Sequence, residues 1–268
     1  MFKTRLISGI VLMAILIALL VNGGWALFIA VTVISVIGLF ELYRAVGMHK
    51  TLPAFIGYIS SIVTDCLILN DDYRILMLWL MITLILMMAC YVIAYPKFHS
   101  EQITMLFFGI FYVTVMLAYV FKVRYIEQGI YLVWLIFVGS WGSDTLAYCS
   151  GKLFGKKKLP SKLSPNKTIA GCVGGVVGAA ILGFLFALAA FHDRTQFWWL
   201  FALIGGVSAV ISQIGDLAAS AIKRNHDIKD YGKLIPGHGG ILDRFDSVIF
   251  TAPIVYILCF VGVMAGIL

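Results

Sequence analysis

Residues 75–95 read ILMLWLMITLILMMACYVIAY, without one charged side chain. At ~1.5 Å per residue, a helix over this stretch is about 30 Å long, the thickness of a bilayer's hydrocarbon core. The run is continuously apolar. A membrane β-barrel strand alternates and is about half as long, so that architecture is excluded. Working outward, similar runs cover about 53–69 and 103–121 on either side. Further runs cover about 6–21, 25–40, 129–150, 168–191 and 197–222, and a last one extends from about 246 to the C-terminus. The pattern predicts an all-α, polytopic integral membrane protein with about nine transmembrane helices. The first two runs are short and joined by Asn22-Gly23-Gly24, so a re-entrant or interfacial hairpin is the alternative for that pair.

Composition agrees. Of 268 residues, 62% are hydrophobic and 12% charged, against about 25% charged in soluble domains. Mean hydropathy is +1.00. A soluble fold of this length cannot bury so much apolar surface, and a disordered chain is polar. Cys66, Cys90, Cys149, Cys172 and Cys259 lie in apolar runs with no CxxC pair, which points to small buried hydrophobes rather than disulfides or zinc.

The net charge of +7 has a direction. With the N-terminus inside, sixteen Lys and Arg fall on the inner side and four on the outer. Cytoplasmic loops are enriched in these residues, so the N-terminus is expected to be cytoplasmic. The basic excess then belongs to the inner membrane face and not to a nucleic-acid surface. The MFKTR start lacks an Ala-x-Ala-like exit, so the first run reads as a retained span rather than a cleaved signal. The organisation expected is a scaffold over 1–128 and a catalytic region over 129–268, with motif loops at 152–167 and 223–246.

The informative polar residues lie in that second part. Asp144 ends the sixth run, with Tyr148 at i+4 on the same face. A carboxylate in a span costs about 2.5–3.5 kcal/mol and is usually functional; the alternative is solvation near the headgroups. Ser212, Asp216, Ser220 and Lys223 form one stripe on the eighth run. Interhelical hydrogen bonding explains the serines but not Asp216. Asp243 and Asp246 stand at i, i+3, about 5–6 Å apart at Cβ on a helix. Two like charges so placed suit a cation between them, and Mg²⁺ takes one or two carboxylates plus substrate phosphates. The helix dipole alone accounts for one of the two.

The loop after the sixth run carries Lys156, Lys157 and Lys158, which serve equally as an anchor beside anionic lipid. Its end, Ser164-Pro-Asn-Lys167-Thr168, reads as a phosphate cradle at a helix N-terminus, with Ser164 at the expected N-cap. Gly151 and Gly155 do not have Walker A spacing. Gly171, Gly174, Gly175 and Gly178 read as a close helix-packing face.

The stretch over 220–246, SAIKRNHDIKDYGKLIPGHGGILDRFD, resembles the signature of the CDP-diacylglycerol synthases, the phosphatidate cytidylyltransferases. The segments SDTLAY and SPNKTIAG are also similar to that family, with Asn166 and Ala170 departing from its usual Lys and Glu. The resemblance implies the reaction of CTP with phosphatidate to give CDP-diacylglycerol and pyrophosphate. It also implies Mg²⁺, a second cation, a homodimer, and a cell-membrane site facing the cytoplasm. On that basis Asp216, Asp243 and Asp246 are the expected metal ligands. Lys223, Arg224, Lys229 and Arg244 would neutralise the triphosphate and lipid phosphate. Arg224 and Arg244 are placed near the metal, and Ser164, Lys167 and Thr168 at a phosphate farther from it. Asp144, Tyr148, Ser220, His238, Gly239 and Gly240 complete the expected substrate-binding set; for His238, shaping the glycine turn is the alternative. Two rival readings are a CTP-dependent polyprenol or lipid kinase and a transporter.

Overall fold

The computed structural model describes residues 2–264 except Ser161, Lys162, Pro165, Asn166, Pro236 and His238, with backbone alone for 2–6. Among the described residues there are nine helices and no sheet. They are α1 Phe2–Asn22, α2 Gly24–Ala45, α3 Leu52–Leu69, α4 Tyr73–Ile93, α5 Ser100–Tyr125, α6 Gly129–Phe154, α7 Ile169–Ala190, α8 Thr195–Asn225 and α9 Leu242–Met264. The helices α2 to α9 are long and apolar enough to cross a membrane, and α1 carries a shorter apolar stretch, Ile7–Asn22. The chain is an integral membrane protein. Helices are the natural outcome, because a segment in hydrocarbon must satisfy its own backbone groups.

The helices group into two compact units, 1–121 with 225–245, and 122–224 with 246–268. In the first, α1 and α2 are joined by Gly23 and Gly24, whose φ angles of 61° and 54° suit glycine. Along α4, Leu80, Thr83 and Met87 form the buried stripe while most other side chains stay exposed and apolar, as a lipid-facing helix requires. The helices are stitched by buried hydroxyls: Ser60 Oγ to Thr83 Oγ1 at 2.9 Å, and Ser61 Oγ to Thr114 Oγ1 at 2.7 Å. Thr114 lies in a π-helical turn of α5, Ile110–Val115. Tyr43, fully buried, donates to the Leu106 carbonyl at 2.8 Å.

In the second unit the glycine face behaves as the sequence suggests. Gly174, Gly175 and Gly178 of α7 lie against Ser150, Ser143 and Leu146 of α6. Side chains at these positions would force the helices apart. Gly183 of α7 meets backbone rather than side chain, since an added Cβ would overlap the Phe201 carbonyl of α8. Gly206 has room, with Ala180 Cβ 3.4 Å from the built Cβ. Gly183→Ala is therefore expected to destabilise the protein by about 1–3 kcal/mol. Gly206→Ala should leave the melting temperature unchanged, and thermal melts of the two in detergent check the contrast.

Several boundaries move. The sixth run extends to Phe154, the eighth to Asn225, and the last helix begins at Leu242 rather than near 246. Lys223 and Arg224 are therefore helical, and Asp243 and Asp246 both lie in the first turns of α9.

Candidate active site

Two cavities hold most of the expected site residues, one in each unit. The cavity in the second unit, about 500 Å³, is lined by Asp144, Tyr148, Ser164, Lys167, Thr168 and Asp216, with Gln213 and Gly151 among the rest. A π-helical turn, Val138–Gly142, immediately precedes Asp144 on α6. Such a turn rotates the residues after it relative to a regular helix and often marks a functional site. Asp144 and Tyr148 are both exposed to the cavity mouth.

Local hydrogen bonds place Lys167. Leu159 N–H donates to the Lys167 carbonyl at 2.8 Å and Ile169 N–H to the Lys157 carbonyl at 3.1 Å, pairing the two ends of the loop. Thr168 then N-caps α7, its Oγ1 accepting from Gly171 N–H at 3.0 Å. The expected N-cap, Ser164, is thus corrected to Thr168: helical geometry starts at Ile169, and Thr168 itself is extended. Lys167 Nζ donates to Asp216 Oδ2 at 2.5 Å, with both side chains about a quarter exposed. Lys167 was expected to serve a phosphate apart from the carboxylates read as metal ligands; the paired loop ends bring it instead onto Asp216 of the α8 stripe. Gln213, on the same helix, donates from Nε2 to the Cys172 carbonyl at 2.9 Å and joins α8 to α7.

Asp246, 7% exposed, belongs to the same unit. It is repelled by Asp216 and Asp144 and attracted by Lys223. Its Oδ1 accepts from Ser247 N–H at 2.8 Å. Ser220 is half-buried on α8, and Arg224 is exposed at its end. Among the described residues, no three Asp, Glu, His or Cys side chains form a ready-made metal cage.

The cavity in the first unit, about 670 Å³, is formed by the loop 225–245 and is lined by Lys229, Lys233, Arg244, Asp230, Gly232 and Gly239. Three cations around a glycine-lined hollow suit a phosphate-bearing group. Asp243, 6% exposed, organises this loop. Its Oδ2 accepts from Tyr231 N–H at 2.8 Å, Gly240 N–H at 2.9 Å and Gly232 N–H at 3.4 Å. Gly239 has φ 89°, a value that favours glycine. His238 lies outside the described residues.

A family model described as the cytidylyltransferase family matches residues 3–261. The chain belongs to the cytidylyltransferase family. It is 31% identical over 262 residues to the phosphatidate cytidylyltransferase of Bacillus subtilis, covering 96% of this chain and 97% of that one. It is 32% identical over 261 residues to the same-named protein of Staphylococcus epidermidis, covering 96% of this chain and 98% of the relative. The similarity to the Staphylococcus saprophyticus protein is 31%, with the same coverage. Membership thus includes the N-terminal helices, which the motifs left out.

One part of this cytidylyltransferase-family chain went unread in the sequence. Glu41 of α2, 3% exposed, accepts from Ile241 N–H at 3.1 Å and from Leu242 N–H at 2.8 Å, at the very start of α9. Arg44, one turn on, donates to the Tyr231 carbonyl at 2.5 Å. A carboxylate at the very edge of an apolar run was the available signal, weaker than the one inside a run that marked Asp144 and Asp216.

Proposed function

We propose that this protein is a phosphatidate cytidylyltransferase, joining CTP to phosphatidate to give CDP-diacylglycerol and pyrophosphate. The observation that carries the reading is the match, over 96% of the chain, to relatives bearing that name. The cavities supply compatible chemistry: carboxylates, cations and hydroxyls at the ends of membrane helices.

In the reaction a phosphate oxygen of phosphatidate attacks the α-phosphorus of CTP. A new P–O bond forms, the bond to the β-phosphate bridging oxygen breaks, and pyrophosphate leaves. No protein nucleophile is required, so the chain's work is positioning and charge neutralisation. Lys229, Lys233 and Arg244 bind phosphate in the loop cavity. Ser164, Lys167 and Thr168 bind phosphate in the other, where Lys167 also compensates the charge of Asp216. Lys223 does the same for Asp246, and Arg224 adds positive charge at the end of α8.

The carboxylates fit Mg²⁺. Asp216 and Asp246 are hard oxygen donors that repel each other, and Mg²⁺ needs only one or two such ligands beside substrate phosphates. Asp216 and Asp246 would hold it, and Asp144, on the same cavity as Asp216, is the further carboxylate for a second cation. When bound, Mg²⁺ supplies charge neutralisation at the reacting phosphates. Spacing alone would add Asp243 to these carboxylates; its Oδ2 accepts the N–H groups of Tyr231, Gly232 and Gly240 and so serves the loop. We also assign the protein to the cell membrane as a homodimer, with its site on the cytoplasmic face, from the charge bias and the family resemblance.

Purified protein should release pyrophosphate only when CTP, phosphatidate and Mg²⁺ are all present. Release without phosphatidate, or none at all, contradicts the reading. For topology, single cysteines placed at Lys156 or Lys229 in a cysteine-free background should resist an impermeant maleimide in intact cells. Labelling of either from outside overturns the assigned face. A lysine change separates binding from turnover: Lys167→Ala should raise KM for one substrate by about tenfold, since it removes ground-state binding. Initial rates with CTP and phosphatidate varied independently will show it.

A further inference from the structure

We propose that Glu41 and Arg44, one turn apart on α2, are positioning residues that hold the loop 225–245 in its phosphate-binding shape. The inference rests on the proposed reaction for its kinetic arm only.

The loop's backbone is the starting point. It contains Gly232, Gly237, Gly239 and Gly240, and glycine has the most conformational freedom to lose. Lys229, Lys233 and Arg244 would repel one another if brought together without support. Some restraint must overcome both effects for the cavity to persist. Asp243 supplies part of it from the loop's own end. The rest comes from α2. The Glu41 carboxylate meets the first N–H groups of α9, the groups that a helix leaves without internal partners. Its negative charge also suits the positive end of that helix. Arg44 fixes Tyr231, which is 2% exposed, by its carbonyl, while the N–H of the same residue is held by Asp243.

The glycines match this arrangement. A Cβ at Gly232 or Gly240 would overlap the Glu41 carboxylate. The two loop segments therefore approach Glu41 closely because they lack side chains there. Gly232 is also a wall of the cavity that Lys229, Lys233 and Arg244 line. Any displacement at Glu41 is thereby passed to the phosphate-binding cations, although Glu41 is not among the cavity's lining residues.

The test uses full-length protein in detergent, with three readouts: steady-state kinetics, tryptic cleavage within 225–245, and thermal melting. Glu41→Gln keeps the shape and one acceptor oxygen but presents an amide N–H₂ to the other of the two backbone N–H groups. We expect kcat/KM to fall about 100-fold, as a small misplacement far from the chemistry can produce. Cleavage at Lys229 and Lys233 should accelerate several-fold while the melting temperature holds. Arg44→Met should show the same pattern more weakly, and Arg44→Lys, which still donates to the Tyr231 carbonyl, should recover most of the loss. If Glu41→Gln fails to fold, the Arg44 pair carries the test. Unchanged loop cleavage and kinetics in Glu41→Gln and Arg44→Met overturn the proposal. So does lost activity that tracks a general fall in melting temperature, without faster loop cleavage. A wild-type protein inactive with CTP and phosphatidate would defeat the proposed reaction instead, and loop cleavage would then decide the positioning role alone.

Discussion

Asp216→Asn and Asp246→Asn each lose about a thousandfold in turnover, because metal neutralisation of phosphoryl charge is worth several kcal/mol and each ~1.4 kcal/mol is a factor of ten. The substitution keeps size and shape and removes the negative charge that would hold a divalent cation. Folding should survive. Asp216 is about a quarter exposed and its pairing with Lys167 is partly solvated, so its loss costs little stability. Asp246 is buried beside Asp216 and Asp144 as well as Lys223, so neutralising it removes a desolvation cost and a repulsion while giving up one attraction. Mg²⁺ titrations with melting curves separate the cases. If both variants keep near-normal activity at saturating Mg²⁺, the metal assignment is wrong.

Asp243→Ala is the second large effect, with a different signature. Three backbone N–H groups converge on one oxygen of Asp243. Removing that acceptor leaves them unpaired in a buried setting, at about 1–3 kcal/mol each. The loop 225–245 should loosen as a unit, so activity falls at least about 100-fold and tryptic cleavage within the loop rises. Asp243→Asn retains one acceptor oxygen and should loosen the loop less. If Asp243→Asn abolishes turnover while the loop stays protected, the metal role is the dominant one. If Asp243→Ala leaves the loop as protected as wild type, the organising role fails.

The difference between these carboxylates shows what sequence can and cannot disclose. The spans were legible because hydrocarbon demands long apolar runs, and ILMLWLMITLILMMACYVIAY admits no other reading. Their polar ends were not, since hydropathy stops at Lys223 and Asp243 while helical hydrogen bonding continues through them. Asp144, Tyr148, Lys167, Thr168 and Asp216 were legible as polar residues at odds with a membrane, and the structure gathers them around one cavity. Their pairing was hidden: no spacing rule links Lys167 to Asp216, 49 positions away. Glu41 was hidden more deeply. Its partners lie 200 positions on, and it stands at the edge of a run whose hydropathy looks like scaffold. Charge inside a span flags a residue, but only the fold says which loop it holds.

The proposed reaction transfers a cytidylyl group to a lipid phosphate. Purified protein should be incubated with phosphatidate, Mg²⁺ and CTP labelled at either the α- or the γ-phosphate, and the lipid phase extracted. Cytidylyl transfer leaves α-label in the lipid and γ-label in water as pyrophosphate. Label from the γ-position in the lipid, with none from the α-position, would show a kinase and contradict it.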